Sequence, residues 1–590
     1  MRKHKSNRVK INSSFKRSYL FIAVFAVLGG GYLAFRSFAA TPTNSIPSEY
    51  ISRVYTEALG RQVAQSDWNE WVDYYKKNGC NATSTRNMTF LIYRSEEFAS
   101  KPYSTNARVL AFYRGAFSRE PTKTELDYWN AAMAQPGADF NQKISKLLES
   151  SDYAKRSQIY CSAKNFALTG RPVAIAGSMT SEQLQAKIDA APAGSTILLP
   201  KSQTVWVKKR IILRRGITLT TKDSQGMAGR TAYANMARFV RYSTTDKTTG
   251  SLIVAMPGSK LQNVWLDGQL WNMKKSADAP GQNVFVTRSN APTAVSYIRS
   301  ESASGAQNIL VHNGKSRNFS ISDRGKRDDL QCTGKISIDH NLVINSANTH
   351  IRTRWADGIG TRCENSIISD NEIIDASDVA IIVFHGWGLQ SQTAQVLRNK
   401  IFQAGNDTFG GIVADPLSVR AMGRNYPDCL AKRSNPDISH CDFRGMLFKD
   451  NILWTGPDAS FVIMASSGTR AWSFLWGIGR GGASNGLGGE FTNNSTGMST
   501  ATVEVPFYIS GLYGVTARNN FTDPSKLLRA IGSNPVNTCD KPAGRAKAPP
   551  HTALLVNKEY AYAAKTSSKE GNARPSIDSI FVQSNRDKCI

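Results

Sequence analysis

Six side chains in the middle of the chain have the types and spacing that acid–base chemistry requires. Asp378 lies seven residues after Asn371 and Asp407 eight after Asn399, and each opens a strand-like run, as does Asp458, seven after Asn451. Asp357 heads a run of its own, 21 residues before Asp378. His385, seven after Asp378, and Asp415, eight after Asp407, would close the same runs as a second column. If these runs are strands of stacked coils, neighbouring carboxylates fall about 5 Å apart and alternate ones roughly 10 Å. The shorter distance suits a retaining acid–nucleophile pair, a shared proton, or Ca²⁺ held by Asp378 and Asp407. The longer one sits near the upper end for an inverting pair. Stacked like charges raise one another's pKa, so Asp378, with an Asp on either side, is expected to be the best general acid. Against this stands the plainer reading that each Asp caps a turn.

The elements that must position these groups come from a repeating template. Ile338-x-x-Asn341-x-Val343 recurs as Ile368-x-x-Asn371-x-Ile373, Val396-x-x-Asn399-x-Ile401 and Phe448-x-x-Asn451-x-Leu453. The asparagines are 30, 28 and 52 residues apart, and Asn313, after Leu310, would begin the series 28 residues earlier. A period near 28 with short β-rich runs predicts a solenoid of parallel-paired coils. Asn tolerates left-handed backbone, and its amide can bond to the Asn one coil away. Upstream, Thr180 to Asp189 reads as an amphipathic helix with Leu184 and Ile188 on one face, followed by Gly194-Ser195-Thr196-Ile197-Leu198-Leu199-Pro200 and alternating runs.

That cap and its Gly-Ser-Thr-Ile-Leu-Leu-Pro segment, the Asn-centred coils and Trp355-Ala356-Asp357-Gly358-Ile359 resemble the right-handed parallel β-helix superfamily typified by pectate lyases and polygalacturonases. The resemblance spans roughly residues 175–530 and implies a mainly β fold. It leaves activity open, because this fold hosts lyases, hydrolases, epimerases and adhesins. The Asn-Thr-Asp and Gly-His-Gly elements of polygalacturonases are absent; His385 stands in Phe384-His385-Gly386, and no catalytic residue is carried over. Lyases of this fold use a positioned Arg or Lys as base, which draws attention to Arg352 and Arg354 beside Asp357.

Residues 48–160 contain a duplication. Tyr55 to Arg61 and Tyr113 to Arg119 are both six residues, and Tyr55 to Trp71 and Tyr113 to Trp129 both sixteen. Helical spacing of apolar residues predicts about three helices per unit, with Ser66 and Thr122 as N-caps. The Tyr…Leu-Gly-Arg…Trp…Ser-x-Glu-Phe pattern resembles a secreted bacterial surface domain of unknown function, which implies an interaction or display module. Arg61 and Arg119 are expected to anchor helices locally rather than bind an acidic ligand.

The first 40 residues read as a signal peptide or membrane anchor: seven basic residues precede an apolar run from Leu20 to Phe35, then Ser37-Phe38-Ala39. A linker would fill residues 41–47, and residues 531–590 an irregular tail packed on the β-helix. Lys and Arg number 73 against 45 Asp and Glu, a net charge of +28. Removing the eight basic residues up to Arg36 leaves 28 − 8 = +20 for an exported part, whose partner is then an anionic glycan rather than nucleic acid. The eight cysteines include no CxxC and suit an oxidising compartment. Cys332 and Cys363 fall at matching places in adjacent coils and should pair, as should Cys429 and Cys441 within the insertion at 416–445. Arg420 and Arg424 of that insertion, with Arg354, are candidates for gripping an acidic sugar. Two functions follow: a surface-attached enzyme that cleaves or modifies an anionic polysaccharide, by acid–base hydrolysis or Ca²⁺-assisted elimination, or a non-catalytic adhesin that binds glycan along a rigid stalk.

Overall fold

The computed structural model describes residues 45–495 apart from 163–166, 243–249, 273–280, 304–306, 312–331, 347–355, 385–390, 406–407, 416–442, 469–485 and positions 288, 458, 460 and 488; beyond 495 it describes the backbone of short strands alone. Asn313, Asp458 and the Leu20–Phe35 run lie outside these residues. Among the described residues no helix is long and apolar enough to cross a membrane.

Each repeat folds as four helices, not three: Ser48–Ala58, Gln65–Asn78, Ala82–Arg94 and Glu96–Ala99, then Thr105–Phe117, Lys123–Met133, Phe140–Leu148 and Ser151–Ser162. The extra turn in the first unit exists because the Ser95 side chain accepts from Phe98 N–H and caps it separately. Thr122 caps its helix in a reciprocal box with Glu125. Ser66 does not: its helix begins at Gln65, after Ala64. The repeated Tyr, Arg and Trp form one contact set in each unit. Arg61 lies 5.3 Å from the Tyr55 ring centre and pairs with Glu97 at 2.8 Å, while Trp71 Nε1 donates to the Tyr55 hydroxyl at 2.9 Å. Arg119 lies 4.7 Å from the Tyr113 ring centre and pairs with Glu125 at 2.6 Å, and Trp129 Nε1 donates to Tyr113 at 3.4 Å. Both arginines therefore anchor helices. Cys80 and Cys161 join the two units by a disulfide that the spacing of the cysteines did not single out.

From Ser178 the chain coils into a right-handed parallel β-helix of three sheets with nine, ten and eleven strands. Thr180 caps the helix Ser181–Ala190, whose Leu184 and Ile188 cover the open end of the hydrophobic interior. Inside, like residues stack: Ile338, Ile368, Val396, Phe448 and Phe491 form one column and Ile359, Ile381 and Ile412 another. Two short strands from the tail, Thr552–Leu555 and Ile580–Phe581, return antiparallel to the solenoid.

The asparagine ladder runs through Asn341, Asn371, Asn399, Asn451 and Asn494, with amide-to-amide distances of 2.8–3.0 Å. Each Oδ1 also accepts a backbone N–H from the preceding coil, and each Nδ2 donates to a carbonyl there. The series does not begin at Asn313. Leu310 belongs to the ten-stranded sheet, and in the coil before Asn341 the place is taken by Ile298, whose N–H bonds to Asn341. Nor is Asn the left-handed residue: His340, Asp370, Arg398, Asp450 and Asn493, each one position earlier, have φ of 53–58°. The turn needs one residue to reverse the chain and the next to satisfy the polar groups this exposes. Cys332 and Cys363 form the expected disulfide across adjacent coils; Cys429 and Cys441 lie outside the described residues.

Helices and coils belong to one compact unit. The helical repeats lie on the outer face of the nine-stranded sheet, and their meeting surface holds an ionic network in which every member is under 5% exposed. Arg114 from the helices reaches Glu57 and Glu120 in its own domain and Glu301 of the solenoid at 2.6 Å. Arg299 returns to Glu57 at 2.6 Å, and Arg238 bridges Glu120 at 2.7 Å and Asp267 at 2.6 Å. Trp265 roofs the cluster, 3.9 Å from Arg238.

Two outcomes follow. Asn399→Ala removes the partner of Asn371 N–H and of two amide groups in a dry interior, and should lower unfolding free energy by about 3 kcal/mol or more in denaturant titrations, against under ~0.5 kcal/mol for exposed Asn78→Ala. Arg114→Met takes one of two arginine partners from each of three buried carboxylates and should cost about 3–5 kcal/mol; an unchanged midpoint would show the interface is not held this way.

Candidate functional site

The corner between the nine- and ten-stranded sheets carries Asp357 and Asp378. Asp357 opens the strand Asp357–Thr361, and Asp378 sits in the turn between the strands Glu372–Ala376 and Val379–Phe384. Ile359 pairs with Ile381, so the residue opposite Asp357 is Val379, whose N–H donates to Asp357 Oδ1 at 3.2 Å. Asp378 N–H instead donates to Ala356 O at 3.1 Å. The two carboxyls are thus on adjacent coils but one residue out of register, not stacked in a single column. In the next coil Gly410 pairs with Val379, which puts Phe409 rather than Asp407 opposite Asp378. Asp407 itself lies outside the described residues. Equal counting from each Asn fails here because the chain takes eight residues from Asn371 to Val379 but eleven from Asn399 to the paired Gly410.

Asp357 is buried at 2% exposure and is held by Gln307 Nε2 at 2.9 Å as well as by Val379. Burial, and then the charge of Asp378, push its carboxyl well above the ordinary range; the Gln307 and Val379 bonds oppose this. Asp378 is partly exposed, and loss of hydration raises it to about 7. Desolvation, rather than a stack of like charges, is the main cause, and the stronger perturbation falls on Asp357 instead of Asp378. Both carboxyls therefore favour the protonated form more than an ordinary Asp does, and the partly exposed one, near 7, is poised to give or take a proton.

Asp415 closes the strand Thr408–Asp415, as its spacing suggested. Asp415 pairs by backbone with Phe384, at the far end of the strand that Asp378 precedes, about six residues and roughly 20 Å away. It does not join the Asp357–Asp378 pair. His385, Arg354, Arg420 and Arg424 lie outside the described residues. At that far end Arg362, unnoticed in the sequence, lies 4.7 Å from the Phe384 ring centre. Gln307, which orients Asp357, was also missed; its signal was a polar residue in place of the aliphatic one that opens most interior strands.

Calcium held by Asp378 and Asp407 falls on a residue outside the described ones, and at Asp357 and Asp378 calcium fits poorly. It requires six to eight oxygen ligands. Asp357 is instead engaged by two N–H donors, and no group of three His, Cys, Asp or Glu converges among the described residues. What this corner offers chemically is proton transfer by its two carboxyls.

Fold and site together define a parallel β-helix with a carboxyl pair at one corner. No family model matches the sequence, and no curated protein is detectably similar. Solved structures of similar fold include the A-module of the mannuronan C-5 epimerase AlgE4 of Azotobacter vinelandii, at 14% identity and TM-score 0.32 over 58% of this chain and 82% of that one. The tailspike gp49 of Acinetobacter baumannii bacteriophage Fri1, a capsular polysaccharide depolymerase, matches at 10% identity and TM-score 0.32 over 58% of this chain and 56% of that one. PfbA, a surface adhesin of Streptococcus pneumoniae, matches at 10% identity and TM-score 0.25 over 58% and 88%. These likenesses concern the fold alone.

The site sets a pH dependence of stability. A folded Asp378 keeps its proton up to about pH 7, whereas the unfolded chain releases it near the ordinary 3.8. Between those values the folded state binds more protons, so stability falls as pH rises, and Asp357 acts in the same sense. Asp378→Asn removes this penalty. Its melting temperature relative to wild type should rise from pH 4 to pH 8; a constant difference would contradict the raised pKa.

Proposed function

We propose that the protein is an extracytoplasmic enzyme that cleaves or modifies an anionic polysaccharide, with Asp378 as its general acid–base group and Asp357 as the positioning residue behind it. One observation carries the reading: on adjacent coils a partly exposed carboxyl, raised to about 7 by loss of hydration, stands beside a buried carboxyl pushed well above the ordinary range. Such a pair holds and moves a proton at Asp378 at neutral pH, which turn-capping alone does not require. The net charge of +28 supports an acidic partner. The Cys80–Cys161 and Cys332–Cys363 disulfides support an oxidising compartment, where polyanionic glycans are the abundant candidates.

The test is incubation of the chain from Pro42 with a panel of polyuronides, with and without chelator. An unsaturated product would assign elimination, and a new reducing end without unsaturation would assign hydrolysis. Asp378→Asn should lower kcat by about 10²–10⁴ with KM nearly unchanged, the contribution of a positioned acid or base. Tight binding with no turnover by wild type would overturn the catalytic reading in favour of an adhesin.

A further inference from the structure

The corner that carries Asp357 and Asp378 continues along the solenoid toward its N-terminal cap. Four strand spacings from Asp378 it reaches Tyr242, directly after the strand Ala237–Arg241. One spacing further lie Lys208, Lys209 and Arg210, between the strands Thr204–Val207 and Ile211–Leu213. At about 4.8 Å per coil, Tyr242 is roughly 19 Å and Lys208 roughly 24 Å from the level of Asp378.

These residues form a patch with the chemistry of a sugar platform. Tyr242 is 56% exposed and meets the partly exposed Trp206 edge to face at 6.0 Å. Lys208 Nζ stands 4.6 Å from the Tyr242 ring centre. Ser181 Oγ accepts the backbone N–H of both Lys208 and Lys209, which fixes the turn that presents them. Next to Tyr242, the buried Arg241 donates to the carbonyls of Gly250 and Gln282, each at 3.0 Å, and among the described residues to no carboxylate. Among the described residues Glu182 interacts with Lys209, Asp267 with Arg241, and Asp189 stands 4.0 Å from Arg214. An exposed ring packs against the C–H face of a sugar, and the adjoining ammonium groups attract its carboxylate.

We propose that Trp206, Tyr242, Lys208 and Lys209 form a non-catalytic subsite that holds an anionic polysaccharide several sugars away from Asp378, so that one glycan chain lies along this corner. The proposal rests on the anionic-glycan reading of the partner but not on the acid–base chemistry of Asp378. It gives the protein a preference for long chains, because only they reach both places at once. Binding energy from the remote sugars then helps to place the reacting bond.

The experiment compares binding of short and long oligogalacturonates, neutral dextran and single-stranded DNA by titration calorimetry, using the chain from Pro42 at two salt concentrations. Tyr242→Ala and Lys208→Gln/Lys209→Gln should each weaken long-chain binding five- to tenfold and leave the shortest oligomers almost unaffected. The double variant should also show a shallower salt dependence, while Asp378→Asn binds like wild type. Both patch variants binding long chains like wild type would overturn the subsite and leave the proposed function standing. A wild type that neither binds nor turns over any polyuronide, or that prefers DNA, would overturn both.

Discussion

One asparagine amide per coil holds the register on which the rest of the molecule depends. Where the chain turns from the eleven-stranded to the nine-stranded sheet, a left-handed residue swings the following backbone N–H toward the dry interior. The ladder of Asn341, Asn371, Asn399, Asn451 and Asn494 satisfies these groups and repeats at the strand spacing. With this corner fixed, insertions can leave the other corners without disturbing the stack. The 52 residues between Asn399 and Asn451, against 28 between Asn371 and Asn399, show how much chain one coil accommodates. The Asp357–Asp378 pair stands on the opposite side of the same strands, where turn length is free to vary and chemistry can be introduced.

The helical repeats are part of this construction. Their inner surface covers the nine-stranded sheet from outside through Tyr233, Trp265, Phe402 and Trp454, and the buried network of Arg114, Arg238 and Arg299 with Glu57, Glu120, Asp267 and Glu301 sets how the two surfaces match. A purely apolar contact would tolerate sliding by a coil; paired charges at fixed heights on successive strands do not. A further tie, Arg230 to Glu372 at 3.0 Å, with Glu372 also accepting Gln62 N–H, repeats the device farther along the sheet. Beneath the helical repeats this sheet's outer face is covered, which leaves function to the corner, the uncovered end near Trp206 and the remaining faces.

Much of this was legible in the sequence, because repeats report their own geometry. The recurring Asn and the period near 28 fixed coils, sheet type and the Cys332–Cys363 pairing, and the doubled Tyr–Arg–Trp spacing fixed the helical repeat. What the period could not carry was the offset within a turn. Asp357 and Asp378 come together on adjacent coils, but the single-residue shift that separates a column from a staggered pair depends on backbone pairing. The contact between the domains was also hidden, although Asp267 and Glu301, acidic residues inside otherwise aliphatic strands, were its trace. Gln307 left a similar mark one coil before Asp357.

The central claim is that Asp378 is a partly exposed carboxyl poised near neutrality by loss of hydration. Carbon-detected NMR of the aspartate carboxyls, assigned through Asp378→Asn, tests it without any substrate. The account predicts a titration midpoint near 7 for Asp378 and a midpoint well above the ordinary range for Asp357. A midpoint for Asp378 near the ordinary 3.8 would contradict it and leave the residue as the cap of a turn.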